Sequence, residues 1–83
     1  MSKEIEVQVL LFASARECAG TARLSQALPV GATLDDLAAR LYEVTPGLRD
    51  LRLRFAVNAA YSDRTTTLHD GDEVACIPPV GGG

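Results

Sequence analysis

A single well-capped helix has to be accommodated among strands in this chain. Thr33 stands where an N-cap belongs, and Asp36 follows three residues on in capping-box position, with Asp in place of Glu. Asp35 and Asp36 also suit the positive end of the helix dipole. Leu34, Leu37, Ala38, Leu41 and Tyr42 recur at helical spacing and make one apolar stripe, which needs a surface to cover it. Pro46-Gly47 ends the helix around Val44.

The rest of the chain reads mainly as strands and turns. Over residues 4–12, Ile5, Val7 and Val9 alternate with Glu6 and Gln8, the period of a half-buried strand. Ala13 to Cys18 loses the alternation and reads as one short helical turn, stopped at Ala19-Gly20. Thr21 to Leu28 is a weaker strand, reached by a hairpin-like return at Gly20. Leu48 to Leu53 is a connection rich in leucine and arginine. Arg54 to Asn58 reads as a strand through Phe55 and Val57. Ala59 to Asp63 reads as a turn, and Thr65 to Leu68 as either a short edge strand or an extended loop. His69-Asp70-Gly71-Asp72 is a turn in which Gly71 can take a positive φ. Glu73 to Ile77 is the last strand, stopped by Pro78-Pro79 because neither proline can donate to a ladder.

Two strands, one helix, then two or three strands make an α+β fold: one main helix on one face of a mixed sheet of four or five strands. The first and last strands are the most apolar, so they are expected to be adjacent and central. An 83-residue chain fits one domain with a modest core. Residues 1–77 are expected to form it, leaving 78–83 as an extended tail.

Charge and cysteine content narrow the function classes. Eleven acids against eight scattered bases give a net charge of −3, with no basic run to track phosphates, so nucleic acid is not an expected partner. Cys18 and Cys76 form no C-x-x-C pair, and the single histidine, His69, is near neither in sequence, so no metal site is expected. The first residues lack the form of a signal peptide, and no apolar run is long enough to cross a bilayer. A reduced, cytoplasmic protein with no membrane partner is the expectation.

The chain closes on Pro78-Pro79-Val80-Gly81-Gly82-Gly83. The prolines end the strand and stiffen the exit, and the glycines carry no side chain to obstruct an approach. Extended, these six residues reach roughly 20 Å. Such a thread can enter a partner's tunnel too narrow for ordinary side chains; the plainer reading is a frayed chain end. Ordering it costs on the order of 1–2 kcal/mol per residue, so a docking surface elsewhere must supply affinity.

The stretch from Asp70 to Gly83, D-G-D-E-V-A-C-I-P-P-V-G-G-G, closely resembles the C-terminus of the sulfur-carrier small subunits of molybdopterin synthase. Earlier pieces agree in order: Leu11-Phe12-Ala13 with Arg16-Glu17 and Gly20, the Thr33–Leu41 helix, and Val57-Asn58 ahead of a tyrosine. The resemblance implies a β-grasp (ubiquitin-like) fold with a flexible Gly-Gly tail. It also implies a chemistry. An E1-like adenylyltransferase, using ATP and magnesium, would adenylate the Gly83 carboxylate. A sulfur donor protein would supply the sulfur of a thiocarboxylate, and the tail would deliver that sulfur to a cyclic pyranopterin precursor in the synthase large subunit, with which a two-plus-two heterotetramer forms. Catalytic side chains would belong to the large subunit, and no cofactor to this chain. Gly82 and Gly83 match the family's essential pair, while the third glycine, Gly81, fills a variable position. Phe12, Tyr61 and Ile77 carry over as docking anchors, followed by Pro78, Pro79, Val80 and Gly81 along the tail. A carrier for thiamin or another pathway, a lysine-linked modifier, and a non-covalent β-grasp interaction module are the other readings.

Phe12 reads equally as interface or core, Tyr61 as partner- or solvent-facing, and Ile77 as the best interface candidate. Cys18 and Cys76 read as small buried or half-buried residues rather than sulfur handlers. His69 beside Asp70 has no nucleophile near it in sequence. Arg49, Arg52 and Arg54 form a loose basic cluster that reads as a solvated face, with phosphate contact as the alternative, and Arg16 reads as a contact for an acidic partner residue.

Overall fold

The alternation of the first segment is realised in β1 (Glu4–Leu11), which buries Ile5, Val7, Val9 and Leu11 while Glu4 and Glu6 stay exposed. The computed structural model describes residues 3–79. After β1 come α1 (Ala13–Ala19), β2 (Arg23–Pro29), α2 (Leu34–Val44), a 3₁₀ segment (Pro46–Leu51), β3 (Arg54–Val57), β4 (Ala60–Tyr61) and β5 (Glu73–Ile77). The sheet order is β2-β1-β5-β3-β4. β1 and β5 are neighbours and parallel, as their apolar character suggested, and the remaining pairs are antiparallel. This is the β-grasp arrangement.

α1 stops at Gly20, which takes φ 78° and donates its N–H to the Arg16 carbonyl; glycine adopts that left-handed geometry without a Cβ penalty. α2 begins as the sequence indicates. The Thr33 hydroxyl accepts from the Asp36 N–H at 3.3 Å, and the Asp36 carboxylate accepts from the Thr33 N–H at 2.9 Å. Leu34, Leu37, Ala38 and Leu41 are buried along one stripe. They share one core with Val7, Val9, Leu48, Phe55, Leu68, Val74 and Cys76. Among the described residues every buried side chain that the core comprises is apolar, and none is charged.

Two segments depart from the sequence reading. Ala60 and Tyr61 lie not in a turn but in a short strand, because the turn is tighter: Asn58 and Ala59 both have positive φ, 49° and 71°. That pair of left-handed residues returns the chain directly onto β3. Thr65 to Leu68 resolves to the extended loop, with one isolated bridge from Thr67 to Thr33. Its backbone is occupied by the helix: the Thr66 carbonyl accepts from Leu34 N–H at 2.8 Å and the Arg64 carbonyl from Asp35 N–H at 2.9 Å. These bonds satisfy donors at the start of α2 that have no partner within the helix. Leu48 to Leu51, left unassigned by pattern, belongs to the 3₁₀ segment, and its Leu48 is buried.

Candidate functional site

With α2 on one face, the period of two sends alternate strand residues to the other, uncovered face. One row there runs across four strands: Leu10 is paired with Ala75, Ala75 with Ala56, and Ala56 with Tyr61. Two large side chains flank two alanines, so the row is low in the middle. Phe12 and Ile77 continue it toward the end of β5. Together they line an apolar groove of about 310 Å³. Phe12 is 48% exposed and Tyr61 60% exposed, so the groove is open to a partner.

Local hydrogen bonds hold Tyr61 in place. The Asn58 amide donates to Asp72 Oδ1 at 3.0 Å, its oxygen accepts from Glu73 N–H at 2.9 Å, and its backbone N–H donates to the Glu73 carbonyl at 2.7 Å. The β3–β4 turn is thereby anchored to the start of β5. The Arg54 guanidinium lies over the Tyr61 ring, 4.1 Å from its centroid. At the polar end of the groove Glu73 is held by Arg23 at 3.4 Å.

The structure brings together Phe12, Tyr61 and Ile77. Phe12 is not in the core: it precedes α1 in extended conformation and faces outward. Ile77 is half-buried at the last position of β5. Directly after β5, Pro78 is buried and Pro79 is exposed. Val80, Gly81, Gly82 and Gly83 lie outside the described residues.

Other residues singled out by sequence fall away from the groove. Cys76 is buried on the core face, and burial pushes its thiol from 9.0 up to about 12, which removes nucleophilic thiolate at neutral pH. Cys18 is exposed rather than buried, near the C-terminal end of the short α1. Its sulfur lies where a side chain on Gly47 would come within 2.8 Å, so Gly47 admits the approach of α1 to the 3₁₀ segment. His69 is exposed, with Nδ1 4.0 Å from Asp72. Asp36 serves the helix cap and Asp35 pairs with Arg64 at 2.7 Å. Arg16, Arg49, Arg52 and Arg54 are all exposed. Asp63, fully exposed, is held below the usual carboxylate range by the hydroxyl and backbone N–H of Thr65. Among the described residues no cluster of His, Cys, Asp or Glu could hold a metal ion, and no helix is long and apolar enough to cross a membrane.

Leu10, Ala56 and Ala75 form the floor of the groove and escaped sequence reasoning. The available signal was an apolar residue at outward positions of strands whose neighbouring outward residues, Gln8 and Glu73, are polar. A second hollow, of about 470 Å³, lies beside α2 and is lined by residues such as Val30, Asp36, Arg40 and Glu43. It is larger but borders no residue of β5, so it does not connect with the chain end.

Comparison with known proteins supplies what geometry alone does not. The family described as ThiS matches residues 9–83. The molybdopterin synthase sulfur carrier subunit of Mycobacterium tuberculosis is 42% identical over 82 residues, spanning 95% of this chain and 99% of the relative. Among solved structures, a Pyrococcus furiosus chain described as a candidate molybdopterin converting factor, subunit 1, superposes with a TM-score of 0.85 at 30% identity, covering 92% of this chain and 99% of that one. A chain from the complex of subunits 1 and 2 of the Helicobacter pylori molybdopterin-converting factor superposes with a TM-score of 0.65 at 27% identity, covering 95% of this chain and 100% of the other.

Proposed function

This chain belongs to the ThiS family of ubiquitin-like β-grasp proteins, and from that premise we propose that it is the sulfur carrier subunit of a molybdopterin synthase. The observation that carries the reading is likeness over nearly the whole chain to a sulfur carrier subunit, with the family match running through Gly82 and Gly83.

In this reading the Gly83 carboxylate is the working group. A carboxylate acylates poorly because oxide is its leaving group. An E1-like adenylyltransferase, using ATP and Mg²⁺, joins the carboxylate to AMP with release of pyrophosphate, and so supplies a good leaving group. Sulfide-level sulfur furnished by a donor protein then displaces AMP, giving a thiocarboxylate, whose sulfur is softer and less tightly hydrated than oxygen. The tail enters the large subunit, whose side chains carry out the transfer to a cyclic pyranopterin precursor and so build the dithiolene. The work takes place in the cytoplasm, in a two-plus-two heterotetramer. This chain contributes the groove, which binds, and the side-chain-free tail, which reaches.

The solved complex of subunits 1 and 2 supports a large-subunit partner. The groove supports the docking site, since an open apolar trough beside the end of β5 gives the partner a grip where the tail departs. Reconstitution tests the reading. The sulfur-loaded chain, the large subunit and the precursor should yield dithiolene, and a chain lacking Gly83 should fold normally and yield none. Dithiolene formation by the truncated chain, or none with the intact one, would overturn it; lysine conjugates in extract would point instead to a modifier.

A further inference from the structure

We propose that Arg54 is a specificity-determining contact for the large subunit, binding a carboxylate on the partner surface that flanks the docked groove. This rests on the docking reading above. The groove's lining carries no cation, and its one anion, Glu73, already has Arg23. An uncharged trough grips an apolar partner but discriminates poorly between orientations, so charges at its rim must set the register.

Arg54 is placed for that task. It faces Ile77 across the β3–β5 pair, on the uncovered face and beside the end of β5. Arg23 and Arg64 are each paired with a carboxylate, Glu73 and Asp35. Arg54 has no carboxylate within salt-bridge distance among the described residues, although the chain carries eleven acids. What holds it instead is the Tyr61 ring at 4.1 Å. Stacking restrains the guanidinium while leaving the N–H donors along its edge unused. That rigid fork matches a carboxylate in two parallel hydrogen bonds, which a lysine ammonium cannot reproduce. The two rims of the groove are therefore unlike: a neutralised Arg23–Glu73 couple at one end and a pre-positioned cation at the other.

The test measures dissociation constants and their salt dependence for the full chain and its Arg54→Gln, Arg54→Lys and Arg54→Glu variants against the large subunit, with Ile77→Lys alongside. Arg54→Glu should weaken binding about tenfold or more, Arg54→Gln less, and Arg54→Lys least, with a flatter salt slope for Arg54→Gln. Unchanged affinity and slope in Arg54→Gln and Arg54→Glu, while Ile77→Lys still abolishes docking, would overturn the role of Arg54 and leave the docking reading standing. Equal losses in all three Arg54 variants, charge reversal included, with unchanged salt slopes would assign the effect to packing on Tyr61 and also overturn it. No effect from Ile77→Lys either would remove the docking surface itself.

Discussion

Leu11 and Cys76 are register partners in the parallel β1–β5 pair, and both are buried. The residue after each, Phe12 and Ile77, therefore emerges on the opposite face at the same end of the sheet. The Phe12 N–H closes the arrangement by donating to the Cys76 carbonyl at 3.3 Å. Two chain segments 65 positions apart thus meet at the edge of one groove because parallel pairing keeps their alternation in phase. An antiparallel pairing of the same strands would have put their ends at opposite sides of the sheet.

Ile77→Lys should weaken binding to the large subunit by at least about tenfold, as truncating or charging a central anchor does. The side chain is half-buried on the uncovered face, so the melting temperature should move little. Titration calorimetry and a thermal melt on the same variant check both halves. An unchanged dissociation constant removes Ile77 from the interface.

The two cysteines should separate in a labelling experiment. Iodoacetamide at neutral pH should modify exposed Cys18 quickly and buried Cys76 only on unfolding. The raised thiol value gives a second readout. Above pH 9.0 the unfolded chain releases the Cys76 proton, whereas the folded chain keeps it until about 12. Stability from this source is complete below 9.0 and is lost as pH rises through that window. Denaturant midpoints against pH should fall less steeply for Cys76→Val than for the parent; identical slopes would contradict the assignment.

Ala59→Gly should stabilise the fold. Ala59 holds φ 71°, where an L side chain costs roughly 1–2 kcal/mol, and glycine returns only part of that through its freer unfolded chain. A rise in melting temperature of a few degrees is expected for a domain of this size. A fall would mean the turn is not strained.

Helix α2 and the central strand β1 were legible because each carries its own local signal. Thr33 and Asp36 form a complete cap within four residues, and Ile5, Val7 and Val9 need only alternate. β4 was not legible, because Asn58 announces a tight turn but Ala59 does not, and the left-handed pair is held by Asp72 and Glu73 from a distant segment. The loop around Thr66 has strand-like composition, yet its carbonyls are claimed by α2, a tertiary demand that no local pattern displays. The anchors Phe12, Tyr61 and Ile77 came from resemblance. The alanine floor between them needed the register, since an alanine is informative only when its neighbours across the sheet are known.

Intact-mass spectrometry of the chain after incubation with its E1-like enzyme, ATP, Mg²⁺ and a sulfur donor tests the carrier assignment most directly. A gain equal to one oxygen-to-sulfur exchange, located on Gly83 by fragmentation and absent when ATP is withheld, is the predicted result. An unmodified mass under conditions in which the enzyme turns over a known carrier would contradict it.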